Sequence, residues 1–506
     1  MRNHRLTWEV IRLGMVLTIG GGFVSHAHAQ YQGPSSSQTP YTIPTAGAQF
    51  HTISLLTTGD TIPKTGGVGS YRMAGIPDGL GAYDNGNGTF TVLMNHEIPA
   101  SSGVVRDHGA KGAFVSAYVI DKSTLQVLSG HDLIQDVTLT TGGSQAFNRF
   151  CSADLPATSA FYNPATGLGT QNRIFMTGEE TNGGRAFAAV ATGPDAGHAY
   201  ELTQMGKAAW ENTLANPATG NKTVVVGMID SSSGNGIVVY SGDKTNVGTD
   251  IDKAGLTNGT LYAVKVDGVS AENRTTGIGA ATTFSLVTPQ LAGVDQGTRF
   301  LRTEDGAWDP QNPDHFYFVT TDQYNQVADG VGAQIGNSRL WEMVFQDPRQ
   351  PELGGSIRVL LNGLQFDPNS PNMADNISVN NGHILIQEDV GNQEHNGKTF
   401  DYEIATGNVT MIAKHDPARF GDIGLAATAP FNRDEEDSGV IDISDILGYR
   451  AYLITTQSHY PNGTELFEGG QLQILAAPEP NLLLVMAGAS LGMFWRRRQA
   501  AAPVAL

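Results

Sequence analysis

Three stretches of this 506-residue chain are built alike: residues 87–97 read NGTFTVLMNHE, residues 172–180 read NRIFMTGEE, and residues 381–389 read NGHILIQED. Each has Asn near a turn, then an apolar run of strand character, then acidic residues. Asn and Asp also serve turns for local reasons, which explains any single case. Three similar endings favour strands that deliver acids to one place. Radial repetition of short strands does this, so the pattern predicts an all-β protein, a β-propeller with loop insertions.

Other short apolar runs separated by turn residues predict further strands. The run at residues 222–229, KTVVVGMI, is apolar enough to be buried on both faces. Helical periodicity is scarce and predicts only two helices, at residues 204–215 and 444–447. The remaining predicted strands lie at residues 113–120, 236–240, 260–266, 315–320, 340–345, 409–413 and 451–455.

The composition limits both the architecture and the partners. The chain has 62 glycines and only 16% charged residues, which suits short strands and tight turns. Its formal net charge of −19 argues against a nucleic-acid partner, which normally meets a basic face. The same charge is compatible with bound cations, and an anionic substrate needs local positive charge to offset it. The single cysteine, Cys151, excludes an intramolecular disulfide.

Both ends of the chain have the pattern of targeting segments. Residues 1–29 combine early arginines, an apolar run at 13–24 and Ala27-His28-Ala29, which predicts a secretory signal peptide. Residues 30–50 are rich in Ser, Thr, Pro and Gly and are interpreted as a linker. Residues 51–475 form the predicted propeller domain, followed by a C-terminal segment at 476–506.

That C-terminal segment has three parts in order: Pro478-Glu479-Pro480, an apolar run at residues 482–495, and three arginines at 496–498. It resembles the PEP-CTERM sorting signal, and a plain anchor is the alternative. The resemblance implies processing by exosortase-type machinery after transient inner-membrane anchoring through a transmembrane helix. The arginines favour a cytoplasmic end. The mature protein is then expected in the periplasm, the outer envelope or outside the cell.

Acidic clusters recur along the domain and supply donors for metal ions. Calcium takes six to eight oxygen ligands, and His or Cys adds softer donors suited to a transition metal. The predicted propeller domain contains no HExxH, CxxC, P-loop or GxSxG motif, so zinc-protease, phosphate-loop and serine-hydrolase sites lack support there. The clusters are Asn95-His96-Glu97; Cys151 with Glu179-Glu180; Trp210-Glu211-Asn212 with Asp230; the run from Arg302 to Pro310; and Asp375-Asn376 with Glu388-Asp389.

In this order, NHE, the cysteine followed by GEE, WENTLANP before KTVVVGMID, and RTEDGAWDP resemble the PhoX-type alkaline phosphatases. The resemblance covers nearly the whole domain, including DNISVNNGHILIQED and YLITTQSHYP. It implies a six-bladed propeller whose acids and cysteine hold calcium (Ca2+) and iron (Fe3+) and hydrolyse small phosphate esters. The metal ligands it implies are Glu97, Cys151, Glu180, Glu211, Asp230, Glu304, Asp305, Asp375 and Asp389.

The residues themselves leave alternatives open. Arg149 or Arg302 is a candidate to clamp phosphoryl oxygens in bidentate fashion, and a surface salt bridge explains either one equally well. A free cysteine is often a small buried hydrophobe. An exported metal-dependent phosphatase is therefore the first hypothesis. The second is a calcium-stabilised propeller without catalysis, serving as an envelope or matrix component.

Overall fold

The computed structural model describes residues 30–140, 142–231, 236–288, 297–322, 338–362, 369–391 and 395–477. The predicted signal peptide and the sorting segment from residue 478 onward lie outside the described residues. No helix within the described ranges is both long and apolar enough to cross a membrane.

Six four-stranded antiparallel units succeed one another along the described part of the chain and form the blades of a propeller. The first strand of each blade neighbours the first strands of the two adjacent blades, which closes a ring around the axis. We call these the inner strands. They are Pro77–Asp84, Phe150–Asp154, Trp210–Ala215, Thr303–Trp308, Ala374–Asn380 and Glu435–Asp442, for blades 1 to 6 in that order. The predicted β-propeller is confirmed.

The outer three strands of each blade follow in sequence, except in blade 6. Blade 1 has Thr89–His96, Phe114–Asp121 and Val127–Asp132; blade 2 has Ile174–Glu179, Gly184–Val190 and His198–Glu201; blade 3 has Lys222–Ile229, Gly236–Asp243 and Thr260–Val266. Blade 4 has His315–Thr320, Arg339–Phe345 and Gly355–Asn362; blade 5 has His383–Glu388, Lys398–Glu403 and Val409–His415; blade 6 has Ala451–Ser458, Gly469–Ala476 and His51–Thr57.

Short elements decorate this frame. Thr282–Val287 pairs with the outer strands of blades 3 and 4 and joins them into one nine-stranded sheet. The other short strands are Gln30–Gln32, Thr42–Pro44, Thr61–Pro63, Ser70–Arg72, Asp136–Thr138, Tyr162–Asn163, Leu168–Gly169 and Lys207–Ala208. The α-helices are Asp250–Lys253, Pro417–Phe420, Ser444–Leu447 and Gly463–Leu466, and the 3-10 helices are Thr158–Ala160, Thr203–Met205 and Pro351–Leu353.

The apolar core is divided among the interfaces between blades. Six clusters of buried side chains each join two neighbouring blades, including blade 6 with blade 1. The strand Lys222–Ile229 shows why: Val225 packs toward blade 2, while Val224 and Val226 pack toward blade 4. Successive strand residues point to opposite faces, so an interior blade needs apolar residues on both. The prediction that this strand is buried on both faces is confirmed.

The predicted linker at residues 30–50 is instead part of the fold. Thr42–Pro44 pairs with the outer strand of blade 5, and Gln30–Gln32 pairs with His51–Thr57 at the edge of blade 6. The backbone N–H of Tyr41 donates to Gln471 at 2.7 Å, and the Tyr41 ring packs edge-on against Phe420 and Phe431. A few well-placed aromatic and amide contacts hold this segment despite its polar composition.

The predicted helix at residues 204–215 is wrong, whereas that at 444–447 is confirmed. Residues 203–205 form one 3-10 turn, and Trp210–Ala215 is the inner strand of blade 3. All six residues of this strand are buried, with Trp210 facing blade 2 and Leu214 facing blade 4. An apolar spacing that looked helical is thus a strand buried on both faces.

Candidate metal centre

A β-bulge interrupts the inner strand of every blade. In blades 1 to 5 the register shifts lie near the start of the strand, between Pro77 and Leu80, Phe150 and Ala153, Trp210 and Asn212, Thr303 and Gly306, and Ala374 and Ile377. In blade 6 the shift lies slightly later, between Asp437 and Gly439. A bulge re-aims side chains next to it. In blades 1 to 5 it carries an acid or the cysteine: Asp78, Cys151, Glu211, Glu304 and Asp375.

Strained residues precede four of these strands. Ile76, Arg149, Arg302 and Met373 have φ of 38°, 51°, 57° and 52°, and each directly precedes an inner strand. Positive φ is unfavourable for residues with a β-carbon, and such strain collects at functional sites. The candidate ligand follows two residues later in all four blades. The chain is therefore bent at the same point each time before it delivers a polar side chain.

Three groups of these side chains, joined by Glu97 and Glu180 from the ends of second strands, are candidates to hold metal ions. They are Asp78, Glu97 and Cys151; Cys151, Glu180 and Glu211; and Glu211, Glu304 and Asp375. In each group one ligand atom per residue lies within 4.8 Å of the others. Because Cys151 belongs to the first two groups and Glu211 to the last two, the groups form one continuous centre. All seven residues are buried except Glu180, which is half-buried.

The electrostatics of this centre favour a bound cation. Burial, together with Glu97 and Glu436, raises the pKa of Asp78 well above its ordinary value. Burial and the neighbouring acids likewise raise the pKa of Cys151 and Glu211, and burial raises that of Glu180 to about 7. Crowded carboxyl groups gain charge only at a cost in free energy, which a multivalent cation offsets. The residues therefore fit metal ions.

One carboxylate oxygen in the first group has no hydrogen-bond partner within the described structure. Asp78 is 0% exposed, and its Oδ1 is buried without a hydrogen-bond partner among the described residues. A buried oxygen without a hydrogen bond costs free energy, so this atom indicates that a ligand binds there. In the second group, the Cys151 thiol donates to Glu211 Oε1 at 3.3 Å, and Ser152 Oγ donates to the same oxygen at 2.7 Å.

Both candidate arginines lie beside this centre and are ion-paired there. Arg149 Nη2 lies 2.6 Å from Glu97 Oε1 and also bonds Glu180. Arg302 Nη2 lies 2.8 Å from Asp230 Oδ2 and 2.9 Å from Glu304 Oε1. The carboxylates of Glu97 and Glu180 raise the pKa of Arg149, so its charge is permanent. The Arg149 side chain remains 46% exposed.

Three predicted ligands lie outside the three groups in the described part of the chain: Asp230, Asp305 and Asp389. Asp230 pairs with Arg302. Asp305 Oδ1 accepts from Asn212 Nδ2 at 2.7 Å and from the N–H of Gly306. Asp305 also lines a cavity of about 350 Å³ that contains Asp154 and none of the three metal groups. The structure does not bring Asp305 together with Glu304 at the centre.

Several members of the acidic clusters have structural tasks instead. Glu179 forms two hydrogen bonds with the Arg185 guanidinium, at 2.7 and 2.8 Å. His96 is fully buried, lies against Gly75 O and Ser116 Oγ, and stacks on Phe114 with ring centroids 4.2 Å apart. These side chains stabilise blades and do not enter the candidate centre.

Sequence analysis did not select Asp78. It lies in PDGLG, where Asp-Gly indicates a turn. Its position in the repeat is the feature that identifies it. Each second strand that ends in acids follows an inner strand. Asp78 occupies the same bulge position in blade 1 that Cys151 and Glu211 occupy in blades 2 and 3. Glu436 lies in the corresponding inner strand of blade 6, and it helps to raise the pKa of Asp78.

Comparison with known proteins finds no matching family model and no matching curated protein. Among solved structures, PhoX of Pseudomonas fluorescens in complex with vanadate, a transition state analogue, is similar, with a TM-score of 0.56 and 14% identity. The match covers 86% of this chain and 97% of that chain. At this identity, the likeness is one of fold.

Two other solved structures are more remote matches. A puromycin hydrolase mutant has a TM-score of 0.33 and 11% identity, covering 79% of this chain and 44% of that chain. A 6-phosphogluconolactonase-like protein from Bacteroides uniformis has a TM-score of 0.31 and 10% identity, covering 76% and 95%. Neither bears on the function of this chain.

Proposed function

We propose that the protein is an exported metal-dependent phosphatase that hydrolyses phosphate monoesters. The observation that carries the proposal is the continuous centre of three metal-binding groups, linked through Cys151 and Glu211 and flanked by Arg149 and Arg302. The fold likeness to PhoX in complex with vanadate supports the same reaction class. Fold alone does not imply function, so the proposal rests mainly on the side chains of the candidate centre.

The donor set suits two kinds of ion. Carboxylate oxygens are the ligands that calcium prefers, and the Cys151 thiolate is a soft donor suited to iron. Asp78, Glu97, Glu180, Glu211, Glu304 and Asp375 would supply the oxygens. Bound cations supply Lewis acidity, polarising phosphoryl oxygens and offsetting their negative charge. In a protein of net charge −19, this local positive charge is needed to admit an anionic ester at all.

The chain's own contribution is to bind and orient the ester. Arg149 and Arg302 present guanidinium groups at two places in the centre, one beside Glu97 and the other beside Glu304. A guanidinium binds two phosphoryl oxygens at once, which fixes their orientation. Their carboxylate partners hold the two guanidinium groups in place before an ester binds. Catalysis of phosphoryl transfer depends mostly on such positioning and charge.

Export belongs to the same proposal and rests on the two terminal segments. A secretory signal peptide at residues 1–29 would carry the chain across the inner membrane. Exosortase-type processing near Pro478 would then release it from a transient anchor. The enzyme would act on phosphate esters in the periplasm or beyond.

The test is hydrolysis of a chromogenic phosphate monoester by protein loaded with calcium and iron. We expect activity that disappears after chelation, returns with the metals and is inhibited by vanadate. Arg149→Ala and Arg302→Ala should each lower kcat/KM, because each removes a phosphate-binding guanidinium. Metal binding without any hydrolysis would instead support the second hypothesis, a calcium-stabilised propeller without catalysis.

A further inference from the structure

Gln457 of blade 6 reaches into the first metal group of blade 1. Its Nε2 donates to Asp78 Oδ2 at 2.8 Å and to Glu97 Oε2 at 2.9 Å. Gln457 is 0% exposed and lies in the strand Ala451–Ser458. A primary amide nitrogen has two hydrogens, so each carboxylate receives one. Carboxylates kept ionised by a bound cation only accept hydrogen bonds, and this orientation presents the amide nitrogen to both of them.

These two bonds occupy one oxygen of Asp78 and one of Glu97 before a metal ion binds. Oδ2 of Asp78 is occupied by the amide, which leaves the buried Oδ1 without a partner in the described structure. Oε1 of Glu97 faces Arg149. Two neighbouring carboxylates repel each other, and a shared donor between them fixes their separation. Gln457 thereby holds the oxygens of Asp78 and Glu97 at one spacing relative to Cys151.

Blade 6 also holds the backbone of Asp78. Thr455 Oγ1 donates to Asp78 O at 3.3 Å, from the same strand as Gln457. This strand pairs with Gly469–Ala476, which pairs in turn with His51–Thr57, near the start of the domain. The first metal group therefore lies on the seam where the ring is closed by strands from both ends of the domain.

We infer that Gln457 is a positioning residue that sets the geometry of the Asp78–Glu97–Cys151 group and couples cation binding there to closure of the ring between blades 6 and 1. The inference rests on the proposed function, since it concerns the same centre. It assigns to Gln457 no contact with substrate. Groups that orient metal ligands typically contribute 10–100-fold to metal affinity.

A matched control is available in the same blade. Gln473 is also 0% exposed, and it donates to Thr456 Oγ1 at 3.0 Å and accepts from the N–H of Thr42 at 3.0 Å. Within the described residues, its side-chain hydrogen bonds are with Thr42 and Thr456 and with no member of the three metal groups. Gln→Met at either position keeps the side-chain length and removes the amide, so both variants lose buried hydrogen bonds.

The experiment measures calcium binding to metal-free wild type, Gln457→Met and Gln473→Met by calorimetric titration with Ca2+ alone, and records the Tm of each. We expect Gln457→Met to weaken one class of site ~10–100-fold, and Gln473→Met to lower the Tm while leaving every Kd unchanged. Gln457→Asn, which keeps the amide but not its reach, answers the same question if Gln457→Met does not fold.

Unchanged calcium affinity in the folded Gln457 variant would overturn the inference and leave the proposed metal centre intact. Equal weakening in Gln457→Met and Gln473→Met would also overturn it, because the loss would then reflect general loosening of blade 6. A wild-type protein that binds no calcium would instead count against the proposed function itself.

Discussion

Two side chains connect the whole candidate centre at the scale of single residues. Cys151 and Glu211 each belong to two metal groups, and the Cys151 thiol donates to Glu211. The buried position of Cys151 also agrees with the alternative interpretation, in which Cys151 is a small hydrophobic core residue. What separates the two interpretations is the set of acids around the sulfur, which a hydrophobic residue would not need.

The variant Cys151→Ser tests this directly. Serine nearly preserves volume but is a far poorer ligand for iron, so we expect loss of iron and at least a ~10-fold loss of phosphatase rate. Cys151→Ala as a mere core truncation would cost on the order of 1 kcal/mol of stability. The measurement is iron content and rate at one calcium concentration. Equal iron and equal rate in wild type and Cys151→Ser would exclude a metal-binding role for Cys151.

Asp154 provides a pH-dependent prediction away from the centre. Burial, with the nearby carboxylate of Asp305, raises the pKa of Asp154 to about 7, above the ~3.9 of an unfolded chain. Between these values the folded state keeps a proton that the unfolded state releases. Wild-type stability therefore falls as pH rises through this window. Asp154→Asn keeps an acceptor for the N–H of Ala215 and removes the titration.

We expect Asp154→Asn to gain about 1–3 kcal/mol in unfolding free energy relative to wild type between pH 5 and pH 8. Urea unfolding at the two pH values measures it. Asp121→Asn is the control, because local hydrogen bonds lower the pKa of Asp121 to about 2 and its titration is complete below pH 5. The same change in both variants would contradict the assignment to Asp154.

At the scale of strands, the inner strands of blades 1 to 5 carry a repeated bulge that aims one polar side chain at the centre. Sequence predicts the strands well where both faces are apolar, as in residues 222–229. It does not reveal a bulge, which depends on pairing with the next strand. Glu304 and Asp305 illustrate the consequence: they are adjacent acids, yet only Glu304 joins a metal group. Alternation alone cannot tell which of the two points inward.

The acid-ended strands were predictable because their turns and apolar runs are local features. Glu97 and Glu180 follow directly from that pattern. Asp78 was not predictable in this way, since its position depends on a bulge and on Gln457, far away in sequence. The position of residues 30–50 also depends on distant partners, such as Gln471 and Phe431. Long-range contacts thus determine the positions of these residues, which the local sequence pattern does not predict.

Neighbouring inner strands approach so closely at Gly79 that we expect this position not to tolerate a larger side chain. A β-carbon on Gly79 would lie 2.3 Å from the backbone nitrogen of Ala153, in the next blade. We expect Gly79→Ala to force blades 1 and 2 apart and to cost about 1–3 kcal/mol or more of unfolding free energy. Gly67→Ala is the control, because its nearest atom is 3.9 Å away. Equal stability of the two variants by urea unfolding would refute the tight packing at Gly79.

At the scale of the whole molecule, buried acids and the contact between blades 6 and 1 come together at the candidate metal centre. Side chains of acids and the cysteine from blades 1 to 5 converge there, and Gln457 brings in blade 6. A cation that binds only the folded ring stabilises it by mass action, by ~2.7 kcal/mol at one hundred times Kd. We therefore expect calcium to raise the Tm and chelation to lower it. A Tm that is the same with added calcium and after chelation would show that calcium binding at the centre does not stabilise the fold.

The central claim is that this propeller holds several metal ions in one centre. Elemental analysis of the folded protein, equilibrated with calcium and iron and then freed of unbound metal, measures this most directly. The account predicts more than one metal ion per chain, with the content reduced in Glu211→Gln because Glu211 belongs to two groups. A folded wild-type protein that retains no metal ion would contradict it.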